Sequence, residues 1–129
     1  MANSLLKRRD VVAELLKDRR DMMVVTGLGS PTYDVMAAGD NDRNYYLWGA
    51  MGGAAMVGLG LAIARPDEEV LVVTGDGEML MAMGAFATIS VQRPKNLTIA
   101  ILEMAITAKR LCSGVMLVMA LSWTRSLRV

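Results

Sequence analysis

Blocks of apolar and polar residues follow one another along this chain and predict helices and strands in turn. Leucines and valines recur at helical spacing near the start, with charges between them, which predicts an amphipathic helix over residues 4–18. The short apolar run 22–26 predicts a buried strand, closed by the glycine- and proline-containing segment 27–31. The polar stretch 39–44 predicts a loop.

The second half of the chain continues this alternation with longer apolar segments. Residues 54–64 are apolar on nearly every side, which predicts a helix buried against a sheet and ended by Pro66. Runs at 70–74 and 97–102 predict buried strands, and the segment from about 79 to 91 predicts a helix between them.

Strands that are apolar throughout and alternate with helices are typical of a parallel sheet that is covered on both faces. The sequence therefore predicts an α/β fold, and a length of 129 residues allows one domain with a modest core. Ligands of such sheets bind beyond the carboxyl ends of the strands. Candidate ligand-binding residues are therefore expected directly after the predicted strands.

Composition removes several classes of function. The net charge of +1 favours neither nucleic acid nor an anionic membrane surface. The absence of histidine excludes imidazole as a metal ligand or general base, and with it zinc hydrolases and Ser-His-Asp hydrolases. A single cysteine, Cys112, allows no internal disulfide, which favours a cytoplasmic protein. The N-terminus has no apolar signal core, and the low-charge stretch 47–64 is too rich in glycine to predict a membrane-spanning helix.

The segment Gly75-Asp76-Gly77-Glu78 carries the most chemistry, because it directly follows the predicted strand 70–74. The two glycines allow the backbone to approach a ligand closely. N–H groups at the start of the following helix point at an anion, and the Asp76 carboxylate is the ligand type that Mg²⁺ prefers. A tight turn with an acidic helix cap is the alternative interpretation of these four residues.

Three segments in order strengthen the first interpretation: residues 49–52, residues 75–78 with the methionine-rich run 79–89, and a strand that ends at 102–103. Together they resemble the diphosphate-binding domain of thiamine-diphosphate-dependent enzymes. The resemblance covers residues 5–103 and is closest to the short-chain decarboxylases that act on sulfopyruvate or phosphonopyruvate. It implies the parallel α/β fold of that domain, thiamine diphosphate as the cofactor and a 2-oxo acid as the substrate.

The resemblance also implies roles for the residues around the diphosphate. Asp76, between Gly75 and Gly77, matches the carboxylate that binds Mg²⁺, which in turn bridges the two phosphates. The backbone N–H groups of Gly77 and Glu78 match those that bind the diphosphate oxygens. These residues are the expected metal and diphosphate site.

A second set of residues matches the part of the family's site that contacts the aminopyrimidine ring. Gly49 and Gly52 match a turn that lies along this ring. Met51 matches the bulky apolar residue that supports the bent shape of the cofactor, and an ordinary core methionine is the alternative for this position. A dinucleotide-binding loop at Gly27-Leu28-Gly29 is a further alternative, but it lacks the third glycine of that motif.

The chain departs from the family after residue 103. The family has an asparagine ligand for Mg²⁺ where this chain has Met104, and a thioether is a poor ligand for that ion. Shifting the reading frame at the last base of the Glu103 codon allows Asn-Gly-His-Tyr-Gly-Glu-Thr, which is very similar to the family's continuation. We therefore expect an incomplete thiamine-diphosphate-binding domain at residues 1–103 and a non-matching tail at 104–129. The sheet would be truncated on its C-terminal side and would expose an apolar edge.

In the family, the glutamate that activates the cofactor comes from a separate pyrimidine-binding domain. We expect no such domain within 129 residues, so the chain is expected to act as one subunit of a hetero-oligomer and to be inactive alone. The expected function is the diphosphate-binding subunit of a 2-oxo acid decarboxylase. The alternatives are an inactive remnant of such a subunit and an unrelated nucleotide-binding α/β domain.

Overall fold

A computed structural model describes residues 7–102 and a strand at residues 119–122, which together form one sheet flanked by helices. The elements in chain order are α1 (Arg8–Leu16), β1 (Met23–Thr26), α2 (Ser30–Ala38), β2 (Asn44–Tyr46), α3 (Ala54–Ala64), β3 (Val70–Gly75), α4 (Asp76–Met81), α5 (Met83–Gln92), β4 (Leu97–Leu102) and β5 (Met119–Ser122). The strand order is β2-β1-β3-β4-β5; the first four strands are parallel, and β5 is antiparallel to β4. The predicted parallel α/β fold is confirmed.

Helices cover both faces of this sheet. Successive side chains of a strand point to opposite faces, so a strand that is covered twice must be apolar at every position. Helices α1 and α2 cover one face with the cluster Val12, Leu16, Val24, Val35, Leu71, Val73, Ala100 and Leu102. Helices α3, α4 and α5 cover the other with the cluster Val25, Ala54, Ala55, Leu59, Ala62, Val70, Val72, Met79, Ala85, Ile89, Leu97 and Ile99.

Helix α3 has the predicted bounds and lies very close to β3. A Cβ added at Gly58 would lie 2.2 Å from Cγ2 of Val72, whereas one added at Gly60 would meet no atom within 4 Å. The helix ends at Ala64 because Arg65, which precedes Pro66, leaves the helical conformation (φ −128°, ψ 70°).

The predicted single helix at 79–91 is wrong at its start and in its middle. Helix α4 begins at Asp76, directly after an extended Gly75 (φ −99°, ψ 162°), and the acidic Asp76 and Glu78 suit the positive end of a helix. The helix is interrupted at Ala82 (φ −115°, ψ 35°), and α5 begins at Met83. The interruption lies where the chain around Gly52 packs against Ala82.

Two elements within residues 7–102 were not predicted. Helix α2 starts immediately after Gly29 and has Pro31 in its first turn, where the missing N–H of proline costs nothing. Strand β2 has only three residues, and Asn44, assigned to a loop, is its first. Helix α1 is shorter than the predicted 4–18, and residues 1–6 lie outside the part of the chain that is described.

The prediction that the truncated sheet exposes an apolar edge is wrong for residues 98–101 of β4, because β5 covers them. Strand β5 pairs with residues 98–101 of β4 in antiparallel register, from Thr98 opposite Ser122 to Ile101 opposite Met119. The backbone groups of β4 on that side therefore find partners within the chain.

One buried charge connects the two helices of the first face. The Asp34 carboxylate on α2 is completely buried and forms ion pairs with Arg8 and Arg9 at the start of α1.

The helices of the described residues include none with the length and hydrophobicity that a membrane span requires.

Candidate functional site

The parallel strands bring three glycine-containing segments to the same edge of the sheet. Strand β1 ends at Thr26 and is followed by Gly27, β2 leads into residues 49–53, and β3 ends at Gly75. All three lie at carboxyl ends, which is the edge where ligands bind in open α/β sheets. The site residues predicted from the sequence therefore lie in the turns that follow β2 and β3, the two strands on either side of β1.

The β3–α4 turn (residues 75–78) contains the predicted metal and diphosphate residues. Asp76 is partly exposed and Gly77 is exposed, and a Cβ at Gly77 would meet no atom within 4 Å. The N–H groups of Gly77 and Glu78 lie in the first turn of α4, where no carbonyl of the same helix precedes them by four residues. The turn thus presents a partly exposed carboxylate beside the accessible backbone of Gly77.

The Gly49–Gly53 turn (residues 49–53) lies beside the β3–α4 turn. Ala50 and Gly52 have positive φ angles of 51° and 92°, and the Gly53 N–H donates to the Ala50 carbonyl at 2.8 Å. A Cβ at Gly52 would lie 3.0 Å from Cβ of Ala82 and 3.5 Å from the carbonyl oxygen of Glu78, so glycine allows the turn to approach α4. Met51 is 49% exposed, so it is not a core methionine, and Gly49 is exposed too.

Glu78 connects the two turns through its side chain, which the sequence did not predict. The residue is only 3% exposed. The Gly52 N–H donates to Oε1 of Glu78 at 3.1 Å, and the Thr74 hydroxyl donates to Oε2 at 2.8 Å. The carboxyl group thus faces inward, while the backbone N–H of the same residue lies in the first turn of α4, next to the exposed Gly77.

Gly27 is the third segment that the Glu78 carboxyl contacts. A Cβ at Gly27 would lie 1.6 Å from Oε2 of Glu78, so no other residue fits unless this side chain moves. Gly27 is fixed on both sides, because its N–H donates to Val73 at 2.9 Å and its carbonyl accepts the Thr32 hydroxyl at 3.0 Å. A glycine directly after a strand was the only sequence signal for this contact, and the dinucleotide-loop alternative is not needed to explain it.

The described residues offer one carboxylate for a metal at this edge. Across residues 7–102 no group of three or more His, Cys, Asp or Glu side chains could hold a metal ion. Mg²⁺ commonly takes one or two carboxylates and completes its shell with water and phosphate oxygens, so Asp76 fits such an ion when a diphosphate is also bound. Met104 lies outside the described residues.

Apolar side chains are exposed on the helices that flank this edge. Leu80, Met81 and Met83 are exposed, whereas Met79 is buried and packs in the core. Trp48 is half-exposed and makes an edge-to-face contact with Tyr33, with 5.9 Å between the ring centres. Met79 therefore packs on the sheet side, whereas Met81 and Met83 present apolar surface to the solvent.

Comparison with known families agrees with this geometry. Residues 32–108, more than half of the chain, match the family described as thiamine pyrophosphate enzyme, C-terminal TPP binding domain. The match contains the Gly49–Gly53 turn, β3 and the β3–α4 turn. The chain belongs to this family of thiamine-diphosphate-binding domains, and the alternative of an unrelated nucleotide-binding domain is thereby excluded.

Individual relatives narrow the similarity to one group of decarboxylases. The chain is 34% identical over 98 residues to the sulfopyruvate decarboxylase subunit beta of Methanocaldococcus jannaschii, covering 75% of this chain and 52% of that one. It is 34% identical over 99 residues to the same subunit of Methanothermobacter thermautotrophicus (77% and 53% covered). It is 42% identical over 84 residues to phosphonopyruvate decarboxylase of Streptomyces viridochromogenes (65% and 21% covered). The chain spans about half the length of the beta subunits that it matches.

Proposed function

We propose that this chain binds thiamine diphosphate together with Mg²⁺, as the diphosphate-binding subunit of a 2-oxo acid decarboxylase. The observation that carries the proposal is the β3–α4 turn, where Asp76 is partly exposed next to first-turn N–H groups in the region of the family match. A carboxylate beside such donors suits a metal-bound diphosphate.

Each part of the site has a separate task in this proposal. Asp76 would bind Mg²⁺, and the N–H groups of Gly77 and Glu78 would bind phosphate oxygens, with Gly75 leaving room for the backbone to approach. The Gly49–Gly53 turn would contact the ring end of the cofactor, with the exposed Met51 supporting its bent shape. Bound thiamine diphosphate supplies the electron sink that lets a 2-oxo acid release CO₂.

The relatives' names support a second subunit and a substrate class. The two beta subunits above are named for sulfopyruvate decarboxylase, and the Streptomyces relative is named phosphonopyruvate decarboxylase. We propose that a pyrimidine-domain subunit supplies the activating acid, because Glu78, the other acid of the β3–α4 turn, directs its side chain into the protein. A 2-oxo acid that carries a sulfonate or phosphonate group is the proposed substrate, and the cytoplasm is the proposed location.

Titration calorimetry with thiamine diphosphate and Mg²⁺ tests the cofactor proposal on the full chain. We expect Mg²⁺-dependent binding, and we expect Asp76→Asn to weaken it by at least about tenfold, since even indirect partners of bound metals cause losses of this size. The matched control is Asp67→Asn, which removes the same charge from an exposed position in the turn before β3, at the amino end of the sheet.

Two results would contradict the proposal. No binding by the wild-type chain would leave the inactive remnant as the better description. Equal weakening by Asp76→Asn and Asp67→Asn would show that the effect comes from net charge and that Asp76 is not a metal ligand.

A further inference from the structure

The Glu78 side chain is the one buried carboxyl of the candidate site, and three chain segments surround it. It accepts a hydrogen bond from the Gly52 N–H and another from the Thr74 hydroxyl, and it occupies the space beside Gly27. A carboxyl group that is 3% exposed loses its hydration, so both hydrogen bonds matter for its stability in this place.

Two of the three segments are rigidly held without Glu78. Thr74 lies in β3 opposite Ile101 of β4, and Gly27 is fixed through its N–H and its carbonyl to Val73 and Thr32. The Thr32 hydroxyl is supported in turn by Thr26 at 2.7 Å. These contacts give the Glu78 carboxyl a fixed platform on the ends of β1 and β3.

The Gly49–Gly53 turn is anchored to α3 at its last residue, because the Gly53 carbonyl accepts the N–H groups of Met56 at 3.1 Å and Val57 at 3.0 Å. Its internal hydrogen bond joins Gly53 to Ala50, and two of its residues have positive φ angles, including the non-glycine Ala50. The Gly52 N–H is the group through which the turn is hydrogen-bonded to Glu78, and Gly52 is buried. Removing the carboxyl would leave this N–H buried without its acceptor, which favours displacement of the turn.

We propose that Glu78 is the positioning residue of the candidate site: its buried carboxyl holds the Gly49–Gly53 turn in register with the β3–α4 turn. The carboxyl acts through the backbone of Gly52 and does not touch the ligand. The nature of that ligand rests on the proposed function, whereas the contact itself does not. Glu78 thus contributes its N–H to the turn that would bind the diphosphate, and its side chain positions the turn that would contact the ring end of the cofactor.

Amide hydrogen exchange on the full chain tests the contact without any ligand. In Glu78→Ala we expect the protection of the Gly52 amide to fall by about tenfold or more, because its acceptor is lost, while the Gly27 amide, bonded to Val73, stays within about threefold. Glu78→Gln keeps an acceptor oxygen for Gly52 and can donate to the Thr74 hydroxyl, so we expect it to retain protection.

Two further variants separate positioning from general stability. Thr74→Val keeps the Gly52 bond and removes the other support of the carboxyl, so we expect a smaller loss at Gly52; it also provides the test if Glu78→Ala does not fold. Asp34→Ala removes a buried ion pair between α1 and α2, and we expect it to change Gly52 and Gly27 protection by the same factor. Equal losses at both amides in Glu78→Ala, or no loss at Gly52, would overturn the proposal.

Binding measurements with a part of the cofactor and with the whole cofactor test whether Glu78 positions the Gly49–Gly53 turn for the ligand. Magnesium pyrophosphate needs only the β3–α4 turn, whereas thiamine diphosphate needs both turns in register. We therefore expect Glu78→Ala to weaken thiamine diphosphate by about tenfold or more and magnesium pyrophosphate by less than about threefold. Equal losses for both ligands would contradict a positioning role. If the wild-type chain binds neither ligand, the proposed function fails, and the exchange measurements still decide the role of Glu78.

Discussion

At the residue scale, Tyr46 at the end of β2 shows how one hydrogen bond changes two ionisable groups. Its hydroxyl donates to Oδ1 of Asp40 at 2.6 Å and accepts from the Asn44 amide at 2.9 Å. Burial, followed by the bond to Asp40, raises the pKa of Tyr46 above its usual value. The same bond is the main cause that lowers the pKa of Asp40.

The raised pKa of Tyr46 predicts a loss of stability at high pH. The folded protein holds this proton more tightly than the unfolded chain, so the contribution is complete below the ordinary tyrosine pKa of about 10 and is lost as pH rises through the folded value. We expect the free energy of unfolding to fall less steeply above pH ~10 in Tyr46→Phe than in the wild type. Urea unfolding over a pH series measures this, and identical slopes in the two proteins would contradict it.

Residues of the candidate site differ in how far the sequence revealed them. Asp76, Gly75 and Gly77 were proposed from the sequence, because backbone freedom and a hard oxygen ligand are properties of the residue type, whereas Gly49 and Gly52 were proposed from the family resemblance. The inward direction of the Glu78 side chain was not predictable, since it depends on Gly27 and Gly52, which are distant in sequence.

At the element scale, α3 shows that two glycines of one helix can have opposite effects. Gly58 faces β3, and a Cβ there would overlap Val72, whereas Gly60 has open space around it. Both residues cost helix stability through their backbone freedom. Only at Gly58 is this cost offset, because the missing Cβ allows α3 to pack closely against β3.

This difference predicts opposite signs for the same substitution. We expect Gly58→Ala to lower the free energy of unfolding by about 1–3 kcal/mol through overpacking in the core. We expect Gly60→Ala to raise it by about 0.5–1 kcal/mol through helix propensity. Thermal or urea unfolding of the two variants provides the measurement, with each as the control of the other. A destabilised Gly60→Ala would show that the outer side of α3 is more closely packed than described.

Elements that depend on local pattern were predicted well, and those that depend on contacts were not. The bounds of α3 follow from its apolar run and Pro66, and β3 and β4 follow from continuous apolar runs. Strand β2 is too short to have a pattern of its own and exists because it pairs with β1. The interruption between α4 and α5 lies at a contact with Gly52. Gly52 is distant from this position in sequence, so the local residue pattern could not predict the interruption.

At the scale of the whole molecule, the chain presents the candidate site on an open edge beside exposed apolar side chains. Leu80, Met81 and Met83 are each more than 60% exposed on the flanking helices. Exposed apolar surface of this kind next to a site favours contact with another protein. It agrees with the proposal that a pyrimidine-domain subunit completes the site.

The proposal predicts activity only in the assembled enzyme. We expect the purified chain with thiamine diphosphate and Mg²⁺ to release no CO₂ from sulfopyruvate or phosphonopyruvate, because the proposed activating acid comes from the other subunit. Addition of a pyrimidine-domain subunit from the same source is expected to produce turnover, measured as CO₂ release. Turnover by the chain alone would contradict the division of the active site between two subunits.

The sequence by itself predicted the fold class and, through the resemblance of its ordered motifs, the family, and both are confirmed; the position of the diphosphate site stays a prediction. The fold class follows from apolar runs and the predicted site from glycines and a carboxylate, whose physical consequences act within a few residues. The tertiary structure decided which segments meet at the carboxyl edge, where β5 pairs, and that the Glu78 side chain lies inside the protein between Gly27, Gly52 and Thr74. Such contacts join residues up to about fifty positions apart, and only the folded chain brings them together.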